Sequence, residues 1–217
     1  GKPENISRWN VLERAKKRLL FSLMRLGILI KTGHQSPDEG LLFDFLEDQS
    51  NNPTDDAEKI TTGYLAGVIT INVLEAEPVA RVEQKVAANE VYRTVLGHMR
   101  HESGHHLWSK LEGNSYLTKK FRNLFGEENE DYNEALKKFY QHGARQNWAK
   151  EFITHYASSH PLEDWAETWG HYLHITDGIE TAEHFGLVTE GIGTQTFANK
   201  IEAWQSITIK LNEMNRS

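Results

Sequence analysis

The sequence predicts an α+β fold, mainly helical, with a small mixed sheet. Three observations support this. The segment GVITINVL at 67–74 alternates apolar and polar residues with the two-residue period of a strand. Longer segments on either side space their apolar residues three and four apart, as helices do. A chain of 217 residues, 38% of them apolar, can bury a single core, and neither repeats nor a low-complexity linker divide it.

The elements are predicted in order along the chain. Ile6-Ser7, followed by Leu12, Ala15, Leu19, Leu23 and Leu26, reads as an amphipathic helix capped at its start. Arg14, Lys17, Arg18 and Arg25 form its solvated face, and Gly27 and Gly33 end it. GLLFDFLED at 40–48 is a short strand, DQSNNPTDD at 48–56 a polar loop, and 67–74 the clearest strand. In that strand Ile69, Ile71 and Val73 should point to one face and Thr70 and Asn72 to the other. From about Val79 to Trp108 the pattern is helical. A further helix lies within 126–143, closed by Gly143. Another lies within 158–175, with Pro161 near its start and Glu163 and Asp164 suited to the positive end of the dipole. A last helix, about 194–212, carries a core stripe of Phe197, Ile201, Trp204 and Leu211.

Composition narrows the function. Net charge is −7, which leaves no basic footprint for nucleic acid. The longest apolar run, LLFSLMRLGILI at 19–30, contains Arg25 and is too short for a membrane span. A charged amphipathic helix precedes it, unlike a signal peptide, so a cytoplasmic location is expected. With no cysteine there is neither a disulfide framework nor a thiolate site, so any metal must sit on His, Asp or Glu.

Nine of the eleven histidines lie between 98 and 174, and four of them fall within GHMRHESGHHLW at 97–108. His101-Glu102-Ser103-Gly104-His105 fits H-E-x-x-H. On a helix, positions i and i+4 share a face, so two imidazoles can meet one ion. Glu102 is rotated off that row, where its carboxylate can reach a water at the ion instead of the ion itself. Two histidines underfill zinc, so a third ligand is required. EDWAETWGH supplies Glu163 and Glu167 at i and i+4, with His171 one turn further, beside Trp165 and Trp169. One carboxylate would bind the ion and the other would accept the ring N–H of a ligating histidine.

HESGH followed some sixty residues later by EDWAE resembles the gluzincin class of zinc peptidases. The resemblance extends to a bacterial family known as "putative zinc-binding metallopeptidases", through TGYLAGVITINVLEAE, YRTVLGHMRHESGHHLW, LFGEENEDYNEAL and YASSHPLEDWAETWGHYLHI. It implies a single zincin-like domain over 1–217. About 1–110 would carry the sheet and the H-E-x-x-H helix, and about 111–217 the helical half with the third ligand. It also implies that His101, His105 and Glu163 hold Zn2+, that Glu102 is the general base, and that Glu167 supports a histidine. Tyr156, seven residues before Glu163, takes the place of an oxyanion donor in that class, with His155 and His160 as rivals. The strand at 67–74 would be an edge strand that pairs with extended substrate. His98 and His171 are expected to pack around the site and His106 to face outward. Two departures stand out. Family members often carry a cysteine-rich zinc ribbon, which this sequence does not contain, and Tyr64 stands where relatives tend to have histidine.

The function expected is hydrolysis of a peptide or protein substrate, by an endopeptidase or processing protease. Two other readings are an aminopeptidase and a binding module with a closed, structural zinc. Glu102 separates the last of these, since a closed site has no use for a carboxylate beside the fourth position. Neither nucleic acid nor membrane is an expected partner, and nothing in the sequence sets the oligomeric state.

Overall fold

In the computed structural model, which describes residues 3–47, 60–77, 94–188 and 191–216, the first helix, α1, spans Pro3–Arg25. It begins before the predicted Ser7 cap, because proline at a first helical position has φ already set for the helix. Leu12, Ala15, Leu19 and Leu23 are buried along one face, and Arg14, Lys17, Arg18 and Arg25 lie on the exposed side. Gly27, at φ +76, turns the chain out of the helix.

Three strands follow: β1 (Leu42–Leu46), β2 (Gly63–Leu65) and β3 (Val68–Asn72). Their order is β1-β3-β2, with β1 parallel and β2 antiparallel to β3. The β2–β3 hairpin turns on Ala66 and Gly67, both at positive φ, the mirror-image turn that suits the twist of paired strands. The predicted strand at 67–74 is therefore the central strand, and the expectation that it is an edge open to substrate is corrected. Both of its sides are already hydrogen-bonded. Ile69 and Ile71 are fully buried, as the alternation predicts. Asn72 is buried too, against expectation. Its Nδ2 donates to the Ile60 carbonyl (3.0 Å), and its Oδ1 accepts from Leu74 N–H (3.0 Å), which starts a 3-10 turn at Val73–Ala76.

The next helix, α2 (Val95–Leu111), starts where the Thr94 hydroxyl accepts from Gly97 N–H (2.9 Å). The earlier part of the predicted helix, 79–93, and the whole of the predicted loop at 48–56 lie outside the described residues. A helix that the sequence reading did not resolve, α3 (Ser115–Phe125), is capped by Asn114 and buries Phe121 against Trp108, with ring centroids 4.0 Å apart. Then comes α4 (Tyr132–His142), capped by Asp131 and closed by Gly143 at φ +79, within the predicted 126–143. The long helix α5 (Pro161–His184) begins at the predicted proline and outruns the predicted end, and α6 (Phe197–Arg216) closes the chain. No helix among the described residues is long and apolar enough to cross a membrane.

The chain divides into two compact units, Gly1–Gly170 and His171–Ser217. In the first, α1 packs against α2 and against the 3-10 turn at 73–76, and the sheet leans on α2 through β2 and β3. The second has its own small core of Ile179, Ala182 and Ile207, packed by Ile175, Val188, Ile192, Ala203 and Trp204. A Cβ on Gly178 would lie 2.3 Å from the Trp204 ring, so glycine lets that indole seat. Of the predicted stripe, Trp204 joins this core, whereas Leu211 is 44% exposed. The buried face of α6 runs through Ile207 instead.

Candidate metal centre

Two helices of the first unit, α2 and the opening turns of α5, carry the residues singled out in the sequence. Their approach is close because Gly104 lies between them. A Cβ there would fall 3.0 Å from Ala166 Cα and 3.0 Å from Trp169 Cδ1. The tryptophans that flank the acidic residues act as clamps. Trp165 Nε1–H donates to the Gly104 carbonyl (2.8 Å), and Trp169 Nε1–H donates to Ser103 Oγ (3.0 Å). Trp165 also packs on Trp108, Phe121 and Phe125. The bulk that keeps this acidic helix face from water thus also fixes its phase against the H-E-x-x-H helix.

That phase brings His101, His105 and Glu163 together, with one ligand atom from each within 4.8 Å of the others. The two Nε2 atoms are 3.2 Å apart. His101 Nε2 lies 3.0 Å from Glu163 Oε2, and His105 Nε2 lies 3.4 Å from Glu163 Oε1. Zinc bound tetrahedrally at about 2.0–2.1 Å would separate two nitrogens by roughly 3.3 Å, so the spacing fits. Glu163 is 1% exposed, and its Oε2 is buried without a hydrogen bond. A buried carboxylate with one oxygen unsatisfied, set against two imidazole nitrogens, is costly alone and suited to a cation. Among the described residues these three form the only such group.

Around this group the arrangement continues. His101 Nδ1–H donates to Glu167 Oε1 at 2.7 Å, which orients the ring with Nε2 towards the centre. Burial works to lower the His101 pKa, but the carboxylates of Glu163 and Glu167 beside it outweigh that and hold the ring well above its ordinary value. Burial likewise works to raise the Glu163 pKa, and its histidine partners overcome that and hold the carboxyl well below the usual range. Glu102 is buried on α2 beside His101, and its charge bears on Tyr132 and Tyr156.

Tyr156 lies in a 3-10 turn, Tyr156–Ser159, just before α5, with its ring 6.1 Å from that of His101. Burial, then the charge on Glu163, keeps its phenol protonated well above the ordinary value, so it is a neutral donor. Its rival His160 is already committed. The Nε2–H donates to the Glu130 carbonyl and Nδ1 accepts from Leu162 N–H, each at 3.0 Å. His155 packs edge-on to Phe139 and Trp148. His98 sits 3.4 Å from the buried Glu75 carboxylate, away from the three-residue group. His171 is the first residue of the second unit, half-buried, one turn beyond Glu167 along α5.

The expectation for His106 is corrected: it is 3% exposed rather than outward-facing. Desolvation, with a smaller contribution from Lys110, lowers its pKa to about 4. Tyr64 packs here, its hydroxyl 3.0 Å from Ser109 Oγ and 3.4 Å from His106 Nδ1, so it contacts α2 beside the group without entering it. Sequence reasoning missed Tyr132, whose hydroxyl donates to Glu163 Oε1 at 2.5 Å. Its place directly after the Asp131 cap fixes where α4 starts but does not mark that contact.

Comparison with known proteins agrees with this chemistry. The sequence profile of the family described as "Putative zinc-binding metallo-peptidase" matches residues 5–217. Uncharacterized proteins of Mycobacterium bovis and of two strains of Mycobacterium tuberculosis are 39% identical over 214 residues. The alignment covers 94% of this chain and 60% of each relative, so the chain spans under two thirds of their length. No solved structure matches.

Proposed function

We propose, for a chain that belongs to the "Putative zinc-binding metallo-peptidase" family, a zinc-dependent peptidase of gluzincin type, acting as an endopeptidase or processing protease. The observation that carries this reading is the convergence of His101 Nε2, His105 Nε2 and the unsatisfied Glu163 Oε2, with only three such side chains meeting among the described residues. Three protein ligands leave one coordination position open, as catalytic rather than structural sites do. A zinc ion held there supplies Lewis acidity and lowers the pKa of water towards about 7.

The remaining work falls to this chain's own residues. Glu102, buried on the same helix, takes the proton from the attacking water and passes it to the leaving amine nitrogen. Glu167 holds the His101 ring through Nδ1 and so fixes which nitrogen faces the centre. Tyr156 donates its phenolic hydrogen to the oxygen that gains charge as the carbonyl becomes tetrahedral. Its hydroxyl has no hydrogen-bond partner among the described residues, and its proton is firmly held.

The test is a search for new amino termini in a proteome-derived peptide library treated with zinc-loaded wild type or with Glu102→Gln. Termini produced by wild type alone support the proposal, and an inert wild type would count against it. On any substrate so found, Tyr156→Phe should lower kcat by about 10–1,000-fold with KM little changed. An unchanged kcat would remove Tyr156 from the mechanism.

A further inference from the structure

A buried carboxylate beside a metal has two oxygens, and something must decide which of them the metal takes. In Glu163 they have different surroundings. Oε1 accepts the Tyr132 hydroxyl at 2.5 Å, whereas Oε2 makes no hydrogen bond and lies 3.0 Å from His101 Nε2. We propose that Tyr132 is a positioning residue, which occupies Oε1 and so presents Glu163 to the metal through Oε2 alone. This rests on the reading of His101, His105 and Glu163 as the ligands.

The geometry around Tyr132 supports a fixed role. It is the first residue of α4, and the Asp131 side chain immediately before it accepts from Glu134 N–H at 3.0 Å, which pins that terminus. The Tyr132 ring stands edge-on to His160, with centroids 5.1 Å apart and planes at 71°. His160 is 1% exposed and both of its ring nitrogens are engaged, one by the Glu130 carbonyl and the other by Leu162 N–H. The His160 carbonyl in turn accepts from the Glu163 and Asp164 amides at 2.9 and 3.0 Å. One histidine therefore ties the turn that carries Tyr132 to the helix start that carries Glu163. The hydroxyl and the carboxylate meet in a frame fixed at both ends.

The two tyrosines near the centre then divide the work. Tyr132 is spent on the carboxylate, and a phenol has one hydrogen to give. Tyr156, with no such bond among the described residues, keeps its hydrogen for the substrate. A hydrogen bond that orients a ligating carboxylate typically changes metal affinity by about 10–100-fold when removed.

The test uses the full chain. Metal-free wild type, Tyr132→Phe, His160→Ala and Tyr156→Phe are titrated with zinc against a chromogenic chelator, and each is loaded with cobalt(II) for its visible spectrum. Tyr132→Phe should raise the zinc dissociation constant by about 10–100-fold and change the cobalt spectrum, as a carboxylate freed to use both oxygens raises the coordination number. His160→Ala, which leaves both carboxylate oxygens untouched, should shift both readouts the same way by less. Tyr156→Phe should shift neither. Wild type that binds zinc and cleaves peptide, with Tyr132→Phe matching its zinc affinity and cobalt spectrum, would overturn this inference and leave the proposed function standing. Wild type that binds no zinc would overturn both.

Discussion

Glu102→Gln is expected to retain about one zinc per chain while losing hydrolysis by roughly 100–10,000-fold. The substitution keeps the shape of a buried side chain on α2 and removes only its ability to take a proton. Nothing in the group of His101, His105 and Glu163 depends on that carboxylate as a ligand. The metal should therefore stay while turnover goes. Elemental analysis of the purified variant, alongside cleavage of a substrate found with wild type, checks both halves. Full activity on any substrate would show that another group moves the proton. Loss of zinc together with activity would place Glu102 among the ligands.

Glu163→Ala is expected to have the largest effect on metal retention. It removes the one carboxylate among the described residues that faces both imidazoles, at 3.0 and 3.4 Å, and leaves two nitrogens that alone underfill zinc. Glu167→Ala removes only the acceptor on the far side of the His101 ring, a loss of about 10–100-fold in affinity. Zinc affinity should thus fall further in the first variant than in the second. The stabilisation of the fold by added zinc should shrink in the same order, because a ligand stabilises the native state in proportion to the logarithm of its concentration over Kd. The opposite order would exchange the roles of the two glutamates.

The part of the site that depends on one helix was legible in the sequence. His101, Glu102 and His105 are related by the helical repeat alone, and α2 spans all three. The pair Glu163 and Glu167 was also visible, but the order between them was not. That order is set by the rotational phase of α5 against α2, which Gly104, Trp165 and Trp169 determine across more than sixty residues of chain. The resemblance assigned Glu163 to the metal, and the geometry places it against both Nε2 atoms. Tyr132 was not legible because its role depends on how the start of α4 is tied to His160, a tertiary fact.

The strands show the same division. The alternation in 67–74 marks a strand but cannot show what lies beside it, and β2 at three residues is too short to produce a pattern of its own. The edge role therefore failed where the core positions Ile69 and Ile71 held. His106 illustrates a further limit. It follows His105 directly, and a one-residue step on a helix rotates a side chain to a different neighbour. That neighbour is Tyr64, which lies far away in sequence.

The most direct measurement is anomalous diffraction at the zinc absorption edge from crystals of the zinc-loaded chain. One peak is expected between His101 Nε2, His105 Nε2 and Glu163 Oε2, with no fourth side chain on it. A peak elsewhere, a fourth protein ligand, or no peak at full zinc loading would contradict a catalytic centre built by α2 and α5.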